Sequence, residues 1–180
     1  MHYYSLNNEA PLVDFKEATL QGQAPDKGLY FPQDIPQLPK GFLNILDQQS
    51  KEEIAFTVLK PYVGDSIPDP VLRQIIAQTF DFPFPLQPLN EDIYALELFH
   101  GPTLAFKDVG ARFMSRCTGY FLQHQSKKAT VLVATSGDTG GAVAHGFYGV
   151  SGVEVVILYP AGKVSEVQEL QLTTLGDNIK

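Results

Sequence analysis

The feature that most constrains the fold is an alternation of strand and helix patterns in the second half of the chain. Short apolar runs alternate with segments of helical spacing, and the connections between them are short. This order predicts a parallel sheet covered by helices. The expected strands are residues 93–98, 130–134 and 154–159, and the expected helices are residues 106–124, 140–148 and 165–174.

The first half of the chain lacks this alternation. Helix-start signals occur at Ser50, which opens a capping box, and at Asp69, which precedes a proline. A proline-rich connector at residues 82–88 is the best candidate for a domain boundary. The sequence therefore predicts an α/β chain with two domains. Residues 1–90 form a small, mainly helical domain, and residues 91–180 begin a parallel α/β domain.

Composition narrows the function classes. Of the 180 residues, 44% are hydrophobic and 18% are charged, which is ordinary for a globular protein. The net charge of −7 makes a nucleic-acid surface unexpected. The single cysteine, Cys117, fits a reducing compartment and is expected to lie in the core. The sequence has no leader pattern and no apolar run of membrane-span length, so we expect a cytoplasmic chain with no membrane partner.

The histidines give no sign of a metal site. His2, His124 and His145 have no metal-ligand spacing with one another or with Cys117. We therefore expect no bound metal.

The segment LELFHGPTLAFKD, residues 96–108, holds the strongest candidate for a reactive side chain. A strand pattern ends, a His-Gly-Pro-Thr bend follows, and a helix is expected to begin close to Lys107. The positive end of that helix disfavours an ammonium group, and Leu104, Ala105 and Phe106 suggest partial burial. Both effects favour a neutral amine, which is a nucleophile able to form a Schiff base. The alternative is an ordinary surface lysine beside a helix-starting aspartate.

The loop TSGDTGG, residues 135–141, is the second candidate site. It follows an expected strand and precedes a helix rich in small residues. In open α/β sheets, ligands bind beyond the carboxyl ends of the strands, and a helix start offers backbone N–H groups to an anion. A plain capping loop, with Ser136 or Asp138 as the N-cap, is an equally good interpretation of these residues alone.

Three segments together resemble the threonine synthase family: FHGPTLAFKD, ATSGDTGGAVAH and VVILYPAGKVSEVQ. The opening segments YYSLNN and KGLYFP look similar to that family as well. The family depends on pyridoxal phosphate and shares its fold, fold type II, with tryptophan synthase β and the serine and threonine dehydratases. The resemblance implies that residues 1–90 are the family's amino-terminal domain. Residues 91–180 would then be the first part of its tryptophan synthase β-like cofactor domain.

The resemblance also implies roles for individual residues. Lys107 would be the catalytic lysine that carries the cofactor, and Asp138 would be a second cofactor contact. His100 is expected either to line the phosphate-bearing end of the substrate or to serve as a structural hydrogen-bonding residue. Thr103 is a similar substrate contact. The loop expected to hold the substrate carboxylate consists of Thr135, Ser136, Gly137, Asp138 and Thr139.

The activity implied is that of a lyase of threonine biosynthesis, which turns O-phosphohomoserine and water into threonine and phosphate. Two alternatives stay open: another enzyme of the same cofactor class, such as a threonine or serine dehydratase, and a non-catalytic fragment. Members of the family are much longer, and their glycine-rich phosphate loop and the partner of the pyridine nitrogen have no counterpart here. A sheet that stops after its third strand exposes an edge and apolar surface, so self-association or pairing with a complementary carboxyl-terminal portion is expected.

Overall fold

The chain folds into two compact units, Met1–Gln78 and Thr79–Lys180, in a computed structural model that describes residues 1–123, 125–126 and 128–180. The division falls ahead of the proline-rich segment 82–88, whereas the sequence suggested a boundary just after it. His124, the expected end of one helix and one of the histidines considered above, lies outside the described residues. None of the described helices is long and apolar enough to cross a membrane.

The first unit is mainly helical, as predicted. Its elements in chain order are β1 (Tyr3–Ser5), α1 (Phe15–Gln21), β2 (Tyr30–Pro32), a 3₁₀ helix (Phe42–Gln48), α2 (Lys51–Val63), a short 3₁₀ turn (Gly64–Ser66) and α3 (Asp69–Thr79). Strands β1 and β2 pair antiparallel. The Ser50 hydroxyl accepts the N–H of Glu53 and so caps α2, as the sequence predicts. Ile67, Leu72 and Ile76 are buried almost completely.

The second unit carries the strand–helix alternation. Its elements are β3 (Leu86–Pro88), β4 (Tyr94–Leu96), α4 (Lys107–Leu122), β5 (Ala129–Ala134), α5 (Asp138–Phe147), β6 (Val153–Leu158) and α6 (Glu166–Thr173). Strands β5 and β6 pair parallel, from Ala129 opposite Val153 to Ala134 opposite Leu158. Ile179 forms a further parallel bridge to Val155. The predicted parallel α/β arrangement is confirmed for this part of the chain.

The first expected strand, residues 93–98, was predicted wrongly as a member of the parallel sheet. It forms β4, which pairs antiparallel with β3 in a separate two-stranded sheet. The cause is a tight local turn. The Asn90 side chain accepts the backbone N–H groups of Asp92 and Ile93, each at 3.0 Å. This turn brings the proline-rich segment, expected to be a plain connector, alongside as a local strand partner.

The core of the second unit lies where α4 and α5 meet the parallel sheet. Phe147 of α5 and Val155 of β6 are fully buried. Cys117 of α4 is also fully buried, and this burial raises the pKa of its thiol to about 12. Because the thiolate is the reactive form, Cys117 is a core residue rather than a nucleophile, as the sequence predicts.

Helices α4 and α5 approach each other closely at one point. A Cβ atom placed on Gly146 of α5 would lie 3.1 Å from the carbonyl carbon and oxygen of Ala111 in α4. Backbone atoms cannot move aside as a flexible side chain can. The absence of a side chain at Gly146 therefore sets the spacing between the two helices, whose first residues are Lys107 and Asp138.

A substitution at this contact tests the packing. We expect Gly146→Val to lower the free energy of unfolding by about 1–3 kcal/mol, because the added methyl groups overpack the α4–α5 interface. The control is Gly110→Ala in α4, where an added Cβ meets nothing within 4 Å. That change should raise the stability by roughly 0.5–1 kcal/mol through helix propensity. Urea unfolding followed by circular dichroism measures both, and a neutral Gly146→Val would contradict the packing argument.

Candidate functional site

The bend before α4 is organised around the buried carboxylate of Asp108. The side chain is 1% exposed, and it accepts the backbone N–H of Thr103 at 2.9 Å and the hydroxyl of Thr103. A Cβ atom on Gly101 would lie 2.4 Å from Asp108 Oδ2. Gly101 is therefore needed where the chain folds back over this carboxylate. Asp108 pairs locally with Thr103, and its buried position fixes the start of α4.

The burial predicted for the residues between the bend and α4 is found for only one of the three. Leu104 and Phe106 were expected to help bury the lysine, but they are 71% and 61% exposed. Ala105 is buried as expected. Leu104 has a left-handed backbone, with φ of 60°, which is uncommon for a residue with a bulky side chain. This conformation turns the Leu104 side chain outward, and Lys107 follows as the first residue of α4.

The structure brings Lys107 close to the glycine-rich loop. The Lys107 Nζ atom lies 3.8 Å from Asp138 Oδ2, and its side chain is 33% exposed. The same nitrogen lies 4.3 Å from the centre of the Phe106 ring. The amine at the start of α4 therefore lies close to both an aromatic ring and a carboxylate. Its neutral state stays a prediction.

The loop between β5 and α5 exposes most of its polar side chains. Ser136, Asp138 and Thr139 are exposed, whereas Gly137 is buried. Gly137 has φ of 148°, a conformation that favours glycine. The described structure gives the hydroxyls of Ser136 and Thr139 no hydrogen bond of their own. These two hydroxyls are therefore free to contact a ligand at the carboxyl end of β5.

The Thr135 hydroxyl caps α5, a role that the sequence predicted for Ser136 or Asp138. Its hydroxyl oxygen accepts the N–H groups of Gly137 at 3.0 Å and Gly140 at 2.9 Å, at the start of α5. The expected N-cap residues, Ser136 and Asp138, do not cap the helix, because the N-cap position is held by Gly137. The loop caps α5 as predicted, but the capping hydroxyl belongs to Thr135 and not to Ser136 or Asp138.

His100 and Thr103 are both engaged outside the Lys107–Asp138 pair. The His100 Nε2 atom lies 2.6 Å from Glu97 Oε2, and the Thr103 hydroxyl donates to Asp108. Thr103 also lines a cavity of about 320 Å³ together with Gly141 of α5 and, from α6, Leu170 and Gln171. The roles of His100 and Thr103 as substrate contacts stay predictions. For His100, the contact with Glu97 fits the alternative role of a structural hydrogen-bonding residue.

One contact at the site was missed by the sequence analysis. The Gln168 Nε2 atom of α6 donates to Asp138 Oδ1 at 2.8 Å. The sequence identified Gln168 only as the second member of the Ser165 capping box, which the structure confirms. No local pattern signals the second contact, because its partner lies on another helix. Among the described residues, no group of three His, Cys, Asp or Glu side chains is placed to hold a metal ion.

The fold and this lysine–loop pair define an α/β chain of the tryptophan synthase β-like class, fold type II. Residues 2–80 match the family model described as the threonine synthase N terminus. The chain is 45% identical to the threonine synthase of Haemophilus influenzae and 43% identical to that of Escherichia coli, in each case over 100% of its length. It covers 41% and 42% of those two relatives.

Solved structures give the same result. The Escherichia coli threonine synthase structure matches with a TM-score of 0.91 and 42% identity, covering 100% of this chain and 42% of that one. A threonine synthase from Brucella melitensis, solved with pyridoxal phosphate bound, matches with a TM-score of 0.89 and 40% identity, covering 96% and 38%. The resemblance to the threonine synthase family is thus confirmed, and the chain corresponds to the amino-terminal part of its members. It spans about two fifths of the length of the curated relatives it matches.

Removal of the Thr135 hydroxyl tests the capping contact. We expect Thr135→Val, which keeps the branched shape, to lower the free energy of unfolding by about 1–2 kcal/mol, because two backbone N–H groups lose their acceptor. Thr135→Ser should retain most of the stability. Ser136→Ala, a change to the exposed neighbouring hydroxyl, should stay within about 0.5 kcal/mol of the original. Equal losses for Thr135→Val and Ser136→Ala in urea unfolding would rule out the assigned cap.

Proposed function

We propose that this chain is the amino-terminal part of a cytoplasmic, pyridoxal-phosphate-dependent threonine synthase. The proposed reaction is the conversion of O-phosphohomoserine and water into threonine and phosphate. The observation that carries the proposal is the position of the Lys107 amine at the start of α4, 3.8 Å from Asp138 in the loop after β5. The likeness to threonine synthases over the full length of the chain supports the same reaction.

The residues at the site fit the cofactor. A primary amine is the group that forms a covalent bond with the aldehyde of pyridoxal phosphate, and Lys107 is partly exposed at the site. Asp138, whose Oδ2 atom lies 3.8 Å from that amine, would be the second contact. When bound, the cofactor withdraws electrons from the reacting carbon atoms of the substrate. The chain supplies the amine, its orientation and the surrounding charges.

Lys107 would also move protons during the reaction. In the proposed reaction the Lys107 amine would take a proton from the α-carbon of the substrate and would return it elsewhere on the substrate. This task needs an amine held close to the reacting atoms and able to gain and lose a proton. The buried Asp108 carboxylate keeps the first turn of α4 in place and thereby keeps the amine in position.

The loop after β5 would bind the substrate carboxylate. Ser136 and Thr139 present exposed hydroxyls, and the first turn of α5 adds backbone N–H groups at the positive end of a helix. Thr135 and Gly137 would support the loop, because the Thr135 hydroxyl is occupied in the cap and the N–H groups of Thr135 and Gly137 already donate within the protein. Thr103 and His100 are proposed as further contacts on the side of the substrate that bears the phosphate.

Two observations favour a threonine synthase over a dehydratase of the same cofactor class. The family model for the threonine synthase N terminus matches residues 2–80, which nearly coincide with the first unit. The glycine-rich loop carries aspartate at position 138, which resembles the threonine synthase variant of this loop. Both features lie outside the lysine motif that such enzymes share.

A non-catalytic role is the second candidate. The face of the parallel sheet that carries Leu132 and Leu158 is largely open, with these side chains 66% and 53% exposed. Apolar residues exposed side by side on a sheet favour association with another polypeptide surface. In this case the chain would fold and bind the cofactor but turn over substrate only when a complementary portion covers this face.

Covalent trapping of the cofactor tests the proposed lysine. The chain is incubated with pyridoxal phosphate, reduced with borohydride, digested and mapped by mass spectrometry. We expect the label on Lys107, because its amine is held at the site, and little label on the exposed Lys128, which precedes β5. Lys107→Ala should remove the main labelled peptide. Equal labelling of several lysines, or unchanged labelling in Lys107→Ala, would refute the assignment.

Two activity assays separate the candidate functions. Phosphate release from O-phosphohomoserine that disappears in Lys107→Ala supports threonine synthase, whereas ammonia release from threonine supports a dehydratase. Trapping at Lys107 without either activity supports the non-catalytic candidate. Lys128→Ala is the matched control and should leave every rate unchanged, because the exposed Lys128 precedes β5, at the opposite end of that strand from the loop that carries Asp138.

A further inference from the structure

Gln168 joins two structural elements through the two ends of one side-chain amide. Its carbonyl oxygen accepts the Ser165 backbone N–H at 3.2 Å and the Ser165 hydroxyl at 3.0 Å, at the start of α6. Its amide nitrogen donates to Asp138 Oδ1 at 2.8 Å, at the start of α5. A capping residue needs only the first of these contacts. The second contact reaches Asp138, whose other carboxylate oxygen lies 3.8 Å from the Lys107 amine.

The orientation of this amide is fixed by its partners. The Ser165 backbone N–H can only donate, and an ionised Asp138 carboxylate can only accept. A rotated amide would set its NH₂ group against the Ser165 N–H and its carbonyl oxygen against the carboxylate. Both contacts would then be repulsive. The Gln168 side chain therefore presents a donor to Asp138 and no acceptor.

The loop is shaped to receive this side chain. A Cβ atom on Gly137 would lie 2.4 Å from Gln168 Nε2 and 2.6 Å from its Cδ atom. With Oδ1 of Asp138 bound to Gln168, Oδ2 is the oxygen that faces Lys107, at 3.8 Å. The two carboxylate oxygens thus have separate partners, and Gln168 determines which of them is turned toward the amine.

We propose that Gln168 is a positioning residue, which holds the Asp138 carboxylate so that one oxygen faces Lys107. The proposal rests on the proposed function, because that function gives Lys107 and Asp138 their roles. It adds a residue of α6 to the site and connects the start of α6 to the loop after β5. In this proposal Gln168 acts through Asp138.

Three variants separate positioning from capping. Gln168→Glu keeps an acceptor for the cap, since glutamate serves as well as glutamine in a capping box, but it sets a carboxylate against Asp138. Ser165→Ala weakens the cap and keeps the contact with Asp138. The pair Gln168→Glu with Asp138→Asn restores a hydrogen bond with donor and acceptor exchanged, and it is compared with Asp138→Asn alone.

The experiment measures three properties of each variant. The first is the apparent dissociation constant for pyridoxal phosphate, confirmed by borohydride trapping at Lys107. The second is the unfolding midpoint in urea. The third is the set of backbone amide shifts of Gly137 and Asp138 by NMR in the chain without cofactor.

We expect Gln168→Glu to weaken cofactor binding roughly tenfold or more, the usual scale for loss of a hydrogen bond to a charged group. It should also shift the two loop amides while the unfolding midpoint changes little. Ser165→Ala should lower the midpoint and leave the cofactor affinity and loop amides near their original values. In the Asp138→Asn background, Gln168→Glu should no longer weaken binding.

Opposite results would overturn the proposal. It fails if Gln168→Glu and Ser165→Ala behave alike, because Gln168 would then serve only the cap. It also fails if Gln168→Glu has the same effect with aspartate or asparagine at position 138. If the unmodified chain shows no trapping at Lys107, the proposed function fails. The loop amide shifts without cofactor then still decide whether Gln168 orients Asp138.

Discussion

The burial of one carboxylate governs the geometry of the candidate site. Asp108 is almost inaccessible to solvent, and it accepts hydrogen bonds from the backbone N–H and the hydroxyl of Thr103 in the preceding bend. Burying an ionised carboxylate is costly unless hydrogen bonds compensate, so the bend is held to the first turn of α4. Lys107 precedes Asp108 directly, and the position of its amine follows from this contact. The position of the candidate reactive side chain is thus set by the residue that follows it.

Three further contacts relate this amine to its partner loop. The close approach of α4 and α5 at Gly146 sets the distance between the two helices. The Thr135 hydroxyl and the Gln168 amide then hold the loop at the start of α5. Each contact comes from a different element. The 3.8 Å separation between Lys107 and Asp138 is therefore a property of the whole second unit.

The predictions from the sequence were best where a local pattern decides the structure. Helical spacing located the start of α4 near Lys107, and the Ser165 capping box marked the start of α6. They were weakest where the outcome depends on a distant or unseen partner. The strand at residues 93–98 pairs within a local hairpin, which apolar alternation alone cannot distinguish from a parallel sheet. The contact between Gln168 and Asp138 joins two helices and has no signature in either one.

The cap formed by Thr135 has a consequence for molecular recognition. A glycine-rich loop samples many conformations in solution, and a ligand that must select one of them loses affinity through the ordering entropy. In this chain the Thr135 hydroxyl accepts two N–H groups of the loop, and the Gln168 amide donates to the Asp138 carboxylate, so the protein's own groups restrict the loop. The loop is therefore preorganised, and more of the intrinsic attraction for a small anion remains as net affinity.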